Sequence, residues 1–238
     1  RGQDGVGLAN IKLNVDPGKR YISRRRSVAT NPIQDVFKQV NKRFVELEVN
    51  DPDKLKDPHW MKENMPFTGE LFLGHLRYGT FGGNTIEQCH PFLRQSNWKT
   101  RNLVLAGNFN MTNVDELFQQ LVDLGQHPKQ KADTVTILEK IGHFLDEAND
   151  DIYYKHKDKF SKKEITQVIE DELDVQDILT QSAKYWDGGY VMCGLMGHGD
   201  AFALRDPNAI RPAYYYKDDE IVVVASERSV IQTSFDVN

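Results

Sequence analysis

The last fifty residues carry the strongest architectural constraint in the chain. Apolar runs at 188–195, 201–204, 213–216 and 220–225 are separated by only a few turn residues, Lys217-Asp218-Asp219 among them. Runs of that length read as strands, and links that short leave antiparallel neighbours as the solution. Two further strand-like runs, 70–78 (ELFLGHLRY) and 102–108 (NLVLAGN), come earlier. Segments of helical spacing stand before and between them. One runs over 31–48, with Asn31 as N-cap and Pro32 as first helical residue; others cover 114–124 and 132–148. A last one follows the capping box Ser161-x-x-Glu164. Strands, then helices, then strands predict a layered α/β domain in which helices cover antiparallel sheets.

Composition narrows the class. A chain of 238 residues, 39 % apolar, buries enough surface for one substantial core without disulfide or metal staples. Thirty Lys and Arg against thirty-five Asp and Glu leave a charge of −5, the wrong sign for a general nucleic-acid binder. The longest aliphatic run, 221–225, cannot span a bilayer. Cys89 and Cys193 are far apart, with neither a disulfide framework nor zinc-ligand spacing. The expectation is a single domain over 1–238, in the reducing cytoplasm, with no nucleic-acid or membrane partner.

Several loops carry groups suited to a small polar ligand, and each has an ordinary structural use as well. Arg77 ends a strand-like run and leads to Gly79-Thr80; its guanidinium can fork onto a carboxylate or pair with a neighbouring acid. Asn108-Phe109 precedes a helix, where an amide beside a backbone N–H serves as a cap or as an oxyanion hole. Asp133, at a helix start, is a cap or a partner for an ammonium group. His90, His127 and His143 lack metal-ligand spacing and read as ordinary polar or core residues; no metal site is expected. Arg24-Arg25-Arg26 reads as a solvated edge, 50–66 as a surface excursion, and Arg205 to Pro212 as a rigid turn held by an Arg–Asp pair.

The order of these motifs is more telling than any one of them. Arg1-Gly2-Gln3-Asp4, Gly74-His75-Leu76-Arg77-Tyr78-Gly79-Thr80, Asn108 to Asn113, Ala132-Asp133-Thr134, Gly188-Gly189-Tyr190, Arg205 to Pro212 and Ala225-Ser226-Glu227 follow one another along the chain. In that order they resemble the class II glutamine amidotransferase domain, and within that class the glutaminase half of the amidophosphoribosyltransferases. The resemblance covers nearly the whole chain, with 30–66 and 143–186 longer than in compact members.

The resemblance implies a four-layer α/β/β/α sandwich with two antiparallel sheets, of the N-terminal-nucleophile hydrolase type. It implies glutamine hydrolysis by an N-terminal cysteine, expected a couple of dozen residues before the Arg-Gly-Gln-Asp motif. Arg77 would hold the glutamine α-carboxylate, with Tyr78 and Thr80 nearby, and Asp133 its α-ammonium. Asn108 and the backbone N–H of Phe109 would stabilise the oxyanion, and Arg1 and Gly2 would line the nucleophile's end of the pocket. Phe109 stands where the family usually has glycine, which predicts a strained φ there. A phosphoribosyltransferase domain is expected in cis beyond 238, bringing the Mg2+ requirement with it; the glutaminase domain itself needs no cofactor. A homo-oligomer is expected. The alternatives are a non-catalytic glutamine-binding or scaffolding homologue and another class II branch such as asparagine synthetase.

Overall fold

The computed structural model describes residues 2–79 and 85–237. Arg1 and Thr80, both named above, lie outside the described residues.

Two antiparallel sheets lie face to face. In the first, β1 (Gly5–Ile11) is central, between β2 (Ile22–Ser27) and β3 (Leu71–Arg77). The β1–β2 hairpin turns at Asp16-Pro17-Gly18, with Gly18 at φ +91°, where a side chain would be strained. Alternation along β1 splits its side chains between two cores. Val6 and Leu8 meet Val36 and Val40 of α1 (Pro32–Asn50) on the outer face. Ala9 and Ile11 point the other way, joining Leu73 against Val104, Ala106 and Leu195 of the second sheet.

That second sheet has the order β4 (Phe92–Arg94), β5 (Leu103–Met111), β6 (Gly188–Met196), β7 (Ala201–Arg205). Leu103, Leu105, Met192 and Met196 leave its far face for the largest core. Helices α3 (Val114–Asp123), α4 (Asp133–His156), α5 (Glu164–Glu172) and α6 (Val175–Ser182) close it with Leu117, Ile137, Ile141, Leu145, Ile169 and Ile178. The result is the expected helix–sheet–sheet–helix layering. Beyond it, β8 (Tyr214–Lys217) and β9 (Val222–Ala225) pair only with each other, and α7 (Arg228–Phe235) follows. Among the described residues, no helix is long and apolar enough to cross a membrane.

The structure corrects several boundaries. The run predicted over 102–108 continues as β5 to Met111, so Asn108 and Phe109 lie inside a strand rather than after one. Helix α4 extends well past residue 148 because Ile152 and Tyr153 keep the inward face apolar. The basic run Arg24 to Arg26 is part of β2, and the excursion over 50–66 contains α2 (Pro58–Asn64), capped by Asp57. Arg205 and Asp206 form no pair with each other. The Arg205 guanidinium donates to the carbonyls of Ala209 and Arg211, while the buried Asp206 carboxylate accepts from the N–H groups of Tyr190, Ile210 and Arg211. The turn is rigid through its backbone.

Candidate active site

Strand parity decides which side chains can meet. In β3, Leu73 faces the second sheet, so His75 and Arg77 face it too. In β5, Val104 and Ala106 face the first sheet, and the same alternation carries Asn108 to that side. Arg77 and Asn108 therefore look into the space between the sheets from opposite walls, at the end where β3 and β5 emerge from the core. Arg77 is half-buried and donates to Gln88 Oε1 at 2.9 Å, while Asn108 is exposed.

Phe109 behaves differently from expectation. It has no positive φ, and the predicted strain is absent because residue 109 is extended strand backbone. Its ring joins the helix-side core and folds back over Gly107, whose missing Cβ would fall 2.6 Å from Phe109 Cζ. The direction of the Phe109 N–H follows from register. Phe109 stands opposite Tyr190, whose carbonyl accepts Asp206 N–H at 2.9 Å and whose N–H donates to Asp206 Oδ2 at 3.3 Å. Tyr190 thus turns its backbone groups towards the β7 side, and Phe109 turns its own to the opposite edge, towards β4. The neighbours at a two-residue period agree. Gly107 N–H donates to His90 Nδ1 at 3.2 Å, and Met111 N–H to Asp133 Oδ2 at 3.0 Å. β4 pairs only with Leu103 to Leu105 and so ends before this stretch.

Asp133 opens α4, preceded by Ala132 as N-cap. Its half-buried carboxylate binds β5 through Oδ2, with Oδ1 as a second acceptor at the positive end of the helix. One segment ties this wall to the Arg77 wall. Gln88 holds Arg77, and two residues on, His90 is buried with Nε2 3.3 Å from Thr134 Oγ1, next to Asp133. His90 also stacks on His75 at a centroid distance of 4.3 Å. Burial pushes the His75 imidazole down to about 4; a hydrogen bond to the Gly107 backbone opposes this and the Arg77 charge adds to it. His90 is held well below the ordinary range by burial, then by His75, Arg77 and Arg26. Both rings are neutral at pH 7.

Sequence reasoning missed this connecting segment. Arg24 donates to Pro91 O at 3.2 Å and Arg26 to Cys89 O at 2.7 Å, so alternate arginines of β2 grip the chain on either side of His90. The only available signal was the alternation itself, once Ile22 to Ser27 is read as a strand. Cys89 is fully buried, its thiol near Val6 O and Ser27 O, and burial raises its pKa. Asp4 was also overlooked: Oδ2 accepts Gly79 N–H at 2.9 Å and anchors the chain just after β3. Tyr78 is 60 % exposed beside Arg77. Gly2, at φ +90°, is buried against Leu76 and Val6, on the face of the first sheet opposite Arg77. Among the described residues, no group of three His, Cys, Asp or Glu side chains could hold a metal ion.

The amidophosphoribosyltransferase of Pasteurella multocida is 28 % identical over 222 residues, covering 92 % of this chain and 34 % of the relative. That of Haemophilus influenzae is 26 % identical over 225 residues, again 92 % of this chain. Over most of its length, the chain is similar in sequence to the amidophosphoribosyltransferases. It spans about a third of the length of these curated relatives. The solved glutamine phosphoribosylpyrophosphate amidotransferase of Bacillus subtilis, complexed with ADP and GMP, matches 99 % of the chain and 37 % of its own. Its TM-score is 0.61 at 22 % identity, a likeness of fold. No protein-family model matches.

Proposed function

We propose that this amidophosphoribosyltransferase-like domain binds glutamine between its two sheets and hydrolyses the side-chain amide. The ammonia would serve a phosphoribosyltransferase domain of the same polypeptide, making phosphoribosylamine at the entry to purine synthesis. The observation that carries the reading is a cation on one sheet and an anion at a helix start tied together by the 88–90 segment, through Gln88 on one side and the His90–Thr134 contact on the other. A free amino acid presents one charge of each sign a single carbon apart. Arg77 would take its carboxylate in a two-point grip and Asp133 its ammonium. The glutamine side chain would then run towards Asn108 and the β5 edge.

The nucleophile in this reading is a cysteine N-terminal to Arg1. Its thiol adds to the amide carbon while its own α-amine takes the thiol proton. Negative charge developing on the amide oxygen would meet the Asn108 side-chain N–H and the Phe109 backbone N–H, the second already directed by the strand register. The C–N bond breaks, the α-amine returns the proton to departing ammonia, and a glutamyl thioester remains. Water releases glutamate and regenerates the thiol. Cys89 and Cys193 take no part, since burial raises both thiol pKa values.

The test is covalent labelling of the full-length protein with an electrophilic glutamine mimic, followed by peptide mass mapping. One label on an N-terminal cysteine, suppressed by excess glutamine, is the expected result. Labelling confined to Cys89 or Cys193, or none, would refute the assignment.

A further inference from the structure

On the glutaminase reading above, His90 has a task that the family resemblance did not assign. We infer that His90 is a positioning residue, aiming the Phe109 N–H at the reacting amide oxygen by anchoring Gly107 as a neutral acceptor.

The argument begins with the edge of β5. Gly107, Phe109 and Met111 present their N–H groups to the same side, and β4 stops before reaching them. An edge left without a partner strand loses the ladder that would fix its pitch and twist. Side chains replace the ladder here. His90 Nδ1 accepts from Gly107 and Asp133 Oδ2 accepts from Met111. Phe109 lies midway between these anchors. Its N–H direction is therefore set from both ends, whatever occupies the cleft.

The chemistry of the imidazole sharpens the claim. A ring whose Nδ1 accepts from an amide carries its proton on Nε2, which then donates to Thr134 Oγ1 at 3.3 Å. Protonation at Nδ1 would set two donors against each other. The surroundings oppose that state. Burial, the His75 ring stacked from β3, Arg77 from the same strand and Arg26 from β2 all disfavour a charge on His90. Packing leaves the ring little room to turn: Phe92 meets it edge-on at 4.9 Å and Phe109 lies 6.0 Å away. His75 completes the clamp by stacking on the His90 ring at a centroid distance of 4.3 Å.

The experiment compares His90→Phe with His90→Asn in the full-length protein. Phenylalanine keeps the ring and the stack but has no acceptor; asparagine places an amide oxygen near the Nδ1 position. With His90→Phe, amide exchange over 104–112 should accelerate at least tenfold at neutral pH, and with His90→Asn by less than threefold. Glutamine turnover should follow the same order. His90→Phe should lose tenfold or more in kcat, with KM for glutamine within twofold and ammonia-driven synthesis unchanged; His90→Asn should recover kcat to within threefold. Unaltered exchange with His90→Phe, equal damage by the two variants, or a loss confined to KM would overturn the role. If His90→Phe does not fold, Thr134→Val cuts the other end of the tether and should give a smaller loss in kcat alone; unchanged kcat would count against the role. A wild-type protein that does not turn over glutamine would instead overturn the glutaminase reading, and the exchange comparison would still judge His90.

Discussion

Arg77 and Asp133 divide the proposed recognition of one amino acid between them, and their variants should differ in character. Arg77→Ala removes a two-point, charge-assisted contact, worth about 3 kcal/mol in a sheltered site. KM for glutamine should rise roughly a hundredfold on that figure, while synthesis from free ammonia is spared. Equal loss of both activities would assign Arg77 a structural role. Asp133→Asn keeps an oxygen to accept Met111 N–H but removes the charge. Glutamine KM should rise with little change in melting temperature, and a lowered melting temperature with unchanged KM would make Asp133 a strut only. A charge at a strand end or a helix start made both residues candidates, and the order of the motifs, through the family resemblance, supplied the roles proposed for them. His90 was not legible in this way, since a buried histidine has no spacing signature and its partners are backbone atoms distant in sequence.

At the scale of elements, the apolar runs marked the strands well, and the misreadings share one cause. Strand β5 keeps going after its apolar residues end because β6 pairs with it as far as Met111 and Gly188. Pairing of that kind is invisible in a single run of residues. Strand β2 was hidden by its arginines, whose stems pack while their heads bind the backbone around His90. The turn after β7 was recognised as rigid, but not for the right reason. Asp206 accepts three backbone N–H groups from within a buried site, one of them on Tyr190 opposite Phe109. Asp206→Ala should lower the denaturant midpoint, since the buried Tyr190 N–H and the turn N–H groups of Ile210 and Arg211 lose their acceptor. A denaturant midpoint unchanged from wild type would contradict that account.

For the whole molecule, helices layered on antiparallel sheets could be anticipated from the succession of strands and helices, and the four layers from the family resemblance, but the contents of the space between the sheets could not. A stack of two neutral imidazoles there makes stability depend on pH. The His75 pKa is about 4 in the folded chain, against 6.5 for the free side chain. The unfolded chain therefore takes up a proton on this residue as pH falls through 6.5, and the folded chain does so only near 4. Stability is fully present above 6.5 and declines down to about 4, by on the order of 3 kcal/mol. Thermal melts between pH 7 and 4 should show this decline, and His75→Phe should make it shallower, leaving the part that His90 contributes. An equal slope in the variant would place the titration elsewhere.

The two walls of the proposed cleft belong to different sheets, and what joins them behind is a small aliphatic patch that includes Ile11, Leu73, Val104 and Leu195. That patch sets how far apart the two walls stand. Trimming a methyl deep within it would widen the bite at the far tip, so the grip on a ligand could slacken long before the protein came apart.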